Sequence, residues 1–87
     1  MGKLSKLPNI GQKLEAQLTD VGITTVEQLK EIGSCEAWLR VFDRDPSACN
    51  VRLMAFEGAI QGIPLHHLDD NTKKSLKDFY NFHKMKR

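Results

Sequence analysis

The sequence predicts an all-α fold: one domain, residues 1–87, folded as a compact bundle of about five helices. Three observations carry that prediction. Apolar residues recur at spacings of three and four along most of the chain. Glycine and proline fall at the ends of these periodic runs. No stretch shows the alternating β-branched pattern of a strand.

The elements follow in order. After Gly11, the spacing of Leu14, Leu18 and Val21 predicts a helix with one buried face, stopped by Gly22. Ile23 plugs the turn. In "TTVEQL", either Thr24 with Glu27 or Thr25 with Gln28 satisfies a capping box, so a second helix starts there and ends at Gly33. Ser34 is the expected cap of a third helix, with Trp38, Leu39, Val41 and Phe42 as its apolar set. "DRDP" breaks it, because a residue before proline resists the α region.

The fourth helix is expected to start at Pro46 or Ser47 and run to about Gln61. Cys49, Leu53, Phe56 and Ile60, flanked by Val51, Ala55 and Ala59, give it an apolar surface wider than one stripe, as a central helix has. Gly58 in its middle predicts the close approach of another backbone. Gly62 and Pro64 end it. Asp69 caps a fifth helix with Leu76, Phe79, Tyr80 and His83 facing inward and Lys84, Lys86 and Arg87 at its C-terminal end.

Composition narrows the function classes. Apolar residues are 40% and charged residues 28% of the chain, the proportions of an ordinary globular domain. No run approaches the ~18 consecutive apolar residues of a membrane span, and no charged-then-apolar leader opens the chain, so it is read as cytoplasmic with no membrane partner. Net charge is +2, and the surplus sits at the C-terminus: residues 69–87 hold six basic and three acidic side chains, whereas residues 1–33 balance four against four.

The stretch "LPNIG" before the first helix is the candidate functional element. Backbone amides near Ile10, Gly11 and Gln12 stand where a helix N-terminus can hold a phosphate. Lys6 and Lys13 add charge, and Asn9 a polar contact. The same residues also make a tight packing turn, with Leu7 and Ile10 plugging the core, and one turn can do both jobs.

The residues around this stretch carry a resemblance. "LPNIGQKLEAQLTDVGITTVEQL" resembles a helix-hairpin-helix segment, whose loop amides hold DNA phosphates, with Asn9 in place of the first glycine. Together with "LMAFEGAIQG" some forty residues later, the chain from Leu4 to about Phe82 resembles the C-terminal domain of the TfoX (Sxy) family. That resemblance implies a helix-hairpin-helix or SAM-like bundle and a non-enzymatic role in competence gene regulation in bacteria. It implies no catalytic site, no cofactor and no small-molecule substrate. Double-stranded DNA is one implied partner. The other is a transcription protein, or a domain of the type that precedes this one in many family members, docking on Trp38 and Phe42; Trp38 reads equally as a core residue.

Other chemistry-bearing residues read as structural. Cys35 and Cys49 are expected to be buried, reduced thiols; with His66 and His67 they match no metal-ligand spacing. Glu57 has no partner positioned for acid–base work and reads as a cap or an ion pair. Adjacent histidines without a nucleophile do not make a catalytic site. The terminal "KMKR" reads as a solvated helix end.

Overall fold

The computed structural model describes residues 3–85 and contains five α-helices: α1 (Gln12–Asp20), α2 (Val26–Ile32), α3 (Ser34–Arg44), α4 (Asn50–Gln61) and α5 (Asp70–Met85). Single 3-10 turns precede α1 (Lys3–Lys6) and α5 (Leu65–His67). No strand occurs among the described residues. Lys86 and Arg87, expected at the end of the last helix, lie outside them.

α4 is the central helix. It packs against α2, α3, α5 and the 65–67 turn, which accounts for its broad apolar surface. Leu53, Ala55, Phe56, Gly58 and Ala59 are buried on it. Leu4, Leu18, Ile23, Leu29, Trp38 and Val41 complete the core from the other elements.

Local chemistry sets the helix ends. At the end of α1, Ile23 N–H donates to Leu18 O (2.9 Å) and Gly22 N–H to Thr19 O (3.0 Å), which satisfies carbonyls the helix leaves open. Of the two candidate caps for α2, Thr25 is the one used: its hydroxyl accepts Gln28 N–H at 3.1 Å. The Gln28 side chain reaches back one residue further than a capping box does, to Thr24 N–H at 2.8 Å.

Three local expectations are corrected. Ser34 does not cap α3; it is the first residue of the helix, and its hydroxyl donates to Glu57 Oε1 of α4 at 2.6 Å. α4 starts at Asn50 rather than at Pro46 or Ser47. The intervening residues form a turn in which Asp45 accepts from Ser47 N–H (3.1 Å), Ser47 Oγ (2.6 Å) and Arg52 Nη1 (3.1 Å), while Ala48 N–H closes on Asp45 O (3.0 Å). Cys49 is thereby an exposed N-cap residue and not part of the buried face. The late start also leaves Val51 outside the packed part of α4, 53% exposed.

Trp38 organises the contact between α3 and α5. Its ring stacks on Phe42 with centroids 4.6 Å apart and meets the edges of Phe79 (5.9 Å) and Tyr80 (5.6 Å). Edge-to-face and offset-stacked pairs match the ring quadrupoles, each worth ~0.5–1.5 kcal/mol beyond burial. Leu76, Phe79, Tyr80 and His83 form the inner side of α5 as predicted. Asp69 caps this helix by accepting Thr72 N–H at 2.8 Å.

The Asp45 turn makes stability depend on pH. Hydrogen bonds from Ser47, then Arg52, hold the Asp45 carboxyl down to about 2, against 3.8 for an unperturbed aspartate. The folded state therefore favours the charged form. Its contribution is present above the unfolded value and is lost as pH falls from about 4 toward 2. Asp45→Asn is expected to flatten that part of the acid-unfolding curve, read by circular dichroism across the same pH range.

Candidate nucleic-acid interface

The stretch from Leu7 to Lys13 divides into an inner and an outer half. The inner half is a four-residue turn, Leu7–Pro8–Asn9–Ile10, closed by Ile10 N–H on Leu7 O at 3.3 Å. Pro8 fixes the φ of the second position. Asn9 takes φ 71°, the left-handed value that the third position of a type II turn demands and that asparagine tolerates.

The Asn9 side chain spans to the far end of α4. Its Nδ2 donates to Ile63 O at 3.0 Å, and its Oδ1 accepts Leu65 N–H at 3.0 Å. A longer contact reaches Ala55 O at 3.4 Å. One carbonyl and one N–H thus fix which way the amide points, as two residues in a ladder do. Gly58 lies against this bond pair. A Cβ there would come within 2.5 Å of Asn9 Nδ2 and 2.7 Å of Ile63 O, so only glycine fits. At Gly62, φ 78° turns the chain so that residues 63–65 run back past Gly58.

Two candidate contact residues are thereby reassigned. The Asn9 amide, expected to offer a polar contact to DNA, is committed to residues 63 and 65. Ile10, expected to offer its backbone amide, has that N–H on Leu7 O and its side chain in the core.

The outer half remains at the surface. Gly11 is the N-cap of α1, in an extended conformation (φ −97°), and no side chain caps the helix. Gly11, Gln12, Lys13 and Lys6 are all exposed, and the space beside the Gly11 Cα is open. The first-turn N–H groups of α1 carry partial positive charge at this uncapped end.

Of the two readings of Trp38, core and contact surface, the core reading holds, and Phe42 is buried with it. Trp38 is 0% exposed and Phe42 6%, because α5 covers them with Phe79 and Tyr80. Among the described residues, the exposed large apolar side chains are Val51 and Phe82 instead. Glu57 is structural: its two oxygens accept from Ser34 Oγ (2.6 Å) and Gln61 Nε2 (2.7 Å). His66 and His67 are exposed neighbours with ring centroids 4.9 Å apart. Cys35 is a half-buried free thiol, its pKa raised by burial. Among the described residues, no group of three or more His, Cys, Asp or Glu side chains is placed to hold a metal ion.

One feature had no signal in the sequence. A cleft of about 250 Å³ between α1 and α3 is lined by Gln17, Asp20, Val21, Val41, Arg44 and Asp45. Arg44 pairs with Asp20 beside it (2.9 Å), and Gln17 Nε2 donates to Asp45 Oδ2 at 3.2 Å. These are polar residues near helix ends, with a spacing that points to nothing until the helices are packed.

An exposed helix start behind a Pro-Asn turn, locked to a glycine of a central helix, defines a small all-α module. The comparisons specify it further: the TfoX C-terminal domain model matches residues 1–80, and the chain belongs to that family. It is 39% identical over 61 residues to Protein Sxy of Escherichia coli (strain K12), covering 70% of this chain. The match takes in 29% of that protein, so the chain spans less than a third of the length of this relative. Two crystal structures of Listeria monocytogenes protein share the fold at 48% identity over 93% of this chain. One is described as an uncharacterized protein in a triclinic form, with TM-score 0.92 over 92% of its length. The other is described as a protein of unknown function in a tetragonal form, with TM-score 0.91 over 99% of its length.

The lock between Asn9 and Gly58 has a measurable cost of removal. Gly58→Ala gains ~1 kcal/mol of helix propensity but forces a methyl into backbone, so a net loss of roughly 1–3 kcal/mol is expected in urea unfolding. Asn9→Gly keeps the turn geometry and loses only the amide. The double variant should then lose less than the sum of the two single losses, because both remove one contact.

Proposed function

We propose that the chain is a non-enzymatic regulatory module, related to the competence regulators, that works in the cytoplasm and contacts the backbone of double-stranded DNA through the N-terminus of α1. The observation that carries this reading is the exposed, uncapped start of α1 at Gly11, with Lys6 and Lys13 exposed on either side of it in sequence. Backbone amides at such an end bind phosphate oxygens without reading sequence, which positions a protein on a duplex. The Asn9 amide supports the reading indirectly. It holds the turn in one conformation, so little ordering entropy remains to be lost on binding.

The second reading is a protein-contact module, its partner a transcription protein or a separately encoded TfoX N-terminal-type domain. With Trp38 and Phe42 buried, its surface would have to be built on Phe82, 57% exposed, or Val51. Nothing joins those two residues into one defined groove, so the DNA reading is preferred.

Gly11→Asp separates binding from folding. The extended backbone at residue 11 accepts any side chain, and aspartate is a better N-cap than glycine by roughly a few tenths of a kcal/mol. The variant should melt no lower than the parent, while its carboxylate occupies the amides and repels phosphate. In fluorescence anisotropy with a labelled duplex, parent binding should weaken steeply with salt and the variant should not bind. Equal affinity of the two proteins would remove α1 from the interface.

A further inference from the structure

We infer that the DNA contact has a second half, a basic stripe on α5 formed by Lys73, Lys77 and Lys84 that adjoins the α1 N-terminus through the Asn9 amide and grips the phosphate backbone of the same duplex. This rests on the DNA reading above and extends it. The adjacency is built from hydrogen bonds. Asn9 Oδ1 holds Leu65 N–H at 3.0 Å, and the carbonyl of the following residue, His66 O, accepts from Lys73 Nζ at 3.2 Å. One residue and two hydrogen bonds therefore separate the turn before α1 from the first lysine of α5.

From Lys73 the charge continues along one side of the helix. Lys77 and Lys84 follow at i+4 and i+11, which at ~100° per residue places all three within roughly 40° of each other. With a ~1.5 Å rise, the stripe runs about 16 Å along the helix. It lies beside the inner face: Lys84 Nζ sits 5.7 Å from the centre of the Tyr80 ring. Lys74 falls off the stripe, four residues from Asp78 and thus spaced to pair with it.

The acidic groups nearby stay charged and offset part of this field. The Asp69 carboxylate accepts from Thr72 in the cap. Glu57, on the adjoining α4, has both oxygens bonded to Ser34 and Gln61. Asp70 lies one turn before Lys73 and offsets part of the charge at that end only. Surplus positive charge is confined to the C-terminal part of the chain, residues 69–87. A polyanion seated on Gly11 alone would meet a nearly neutral surface. A duplex whose backbone also crosses α5 meets Lys73, Lys74, Lys77 and Lys84 against Asp70 and Asp78, and charge complementarity selects nucleic acid over an apolar protein surface as the occupant.

The test compares the parent, Gly11→Asp, the double variant Lys73→Gln/Lys77→Gln, and Lys30→Gln, which removes an exposed lysine from α2. Each is titrated with a labelled duplex at several salt concentrations, after circular dichroism confirms an unchanged melting profile. The double variant is expected to weaken binding uniformly across duplex sequences. It should also lower the slope of log affinity against log salt by about 2, close to ~0.9 for each lost phosphate contact. Lys30→Gln should leave the slope unchanged.

If Gly11→Asp abolishes binding while the double variant keeps the parental slope, the contact is confined to α1 and this inference fails alone. If Gly11→Asp binds like the parent, the α1 reading fails and the two-part footprint with it. A slope lowered per lysine as much by Lys30→Gln as by the double variant would mean that net charge acts, not the stripe, and would overturn the inference.

Discussion

The two hydrogen bonds of the Asn9 side chain are the constraint on which the rest of the molecule is arranged. They tie the chain before α1 to the chain after α4, and so close the bundle between its first and last thirds. The bond pair sits where Gly58 leaves no side chain, which draws the backbone at residues 63–65 against the central helix. In a half-buried amide with both ends bonded, the hydrogen bonds offset the cost of desolvation, and their geometry excludes neighbouring registers. The position of the α1 N-terminus relative to α4 and α5 is thus set by hydrogen bonding as well as by hydrophobic contact.

The same turn separates packing from presentation over a few residues. Pro8, Asn9 and Ile10 face the bundle, and Gly11, Gln12 and Lys13 face solvent. Glycine at the cap offers the first amides of α1 no side-chain acceptor of its own. A serine or aspartate in that place would stabilise the helix and fill the position an external phosphate would take. On the other side of the molecule, Trp38 performs a purely structural task, anchoring α5 to α3 through a cluster of aromatic edges.

Much of the fold was legible in the sequence because helix periodicity and helix punctuation are local. The spacing of Leu14 and Leu18, the choice of Thr25 from two offered caps and the Gly22 and Gly62 stops depend on residues within one or two turns, and these features are present. The start of α4 was misplaced because Asp45 had two local options. A proline at the first position would permit a helix, but Ser47 and Arg52 together make a tighter turn on the carboxylate. Gly58 showed that some backbone would come close; which one could not be read, since Asn9 is nearly fifty residues away. Site residues were least legible for the same reason. Whether Asn9 faces DNA or Ile63, and whether Trp38 is covered by α5, are decided by tertiary contacts that no local pattern encodes. The resemblance of "PNIG" paired with "LMAFEGAIQG" pointed to the family before its cause was visible. The cause is that the two segments are hydrogen-bonded and sterically matched.

The span of the Asn9 bond has a consequence for how the chain folds. Asn9 and Leu65 are 56 residues apart in sequence, so their pairing must wait for a long loop to close. The α3–α4 and α4–α5 contacts join neighbouring elements and close at much lower entropic cost. Loop-closure entropy thus favours assembly of the helical hairpins before the N-terminal turn docks over Gly58. Interactions absent from the folding transition state act as brakes on unfolding rather than as aids to folding. A bond pair of this span is of the kind expected to act so, holding the start of α1 in place on the assembled domain.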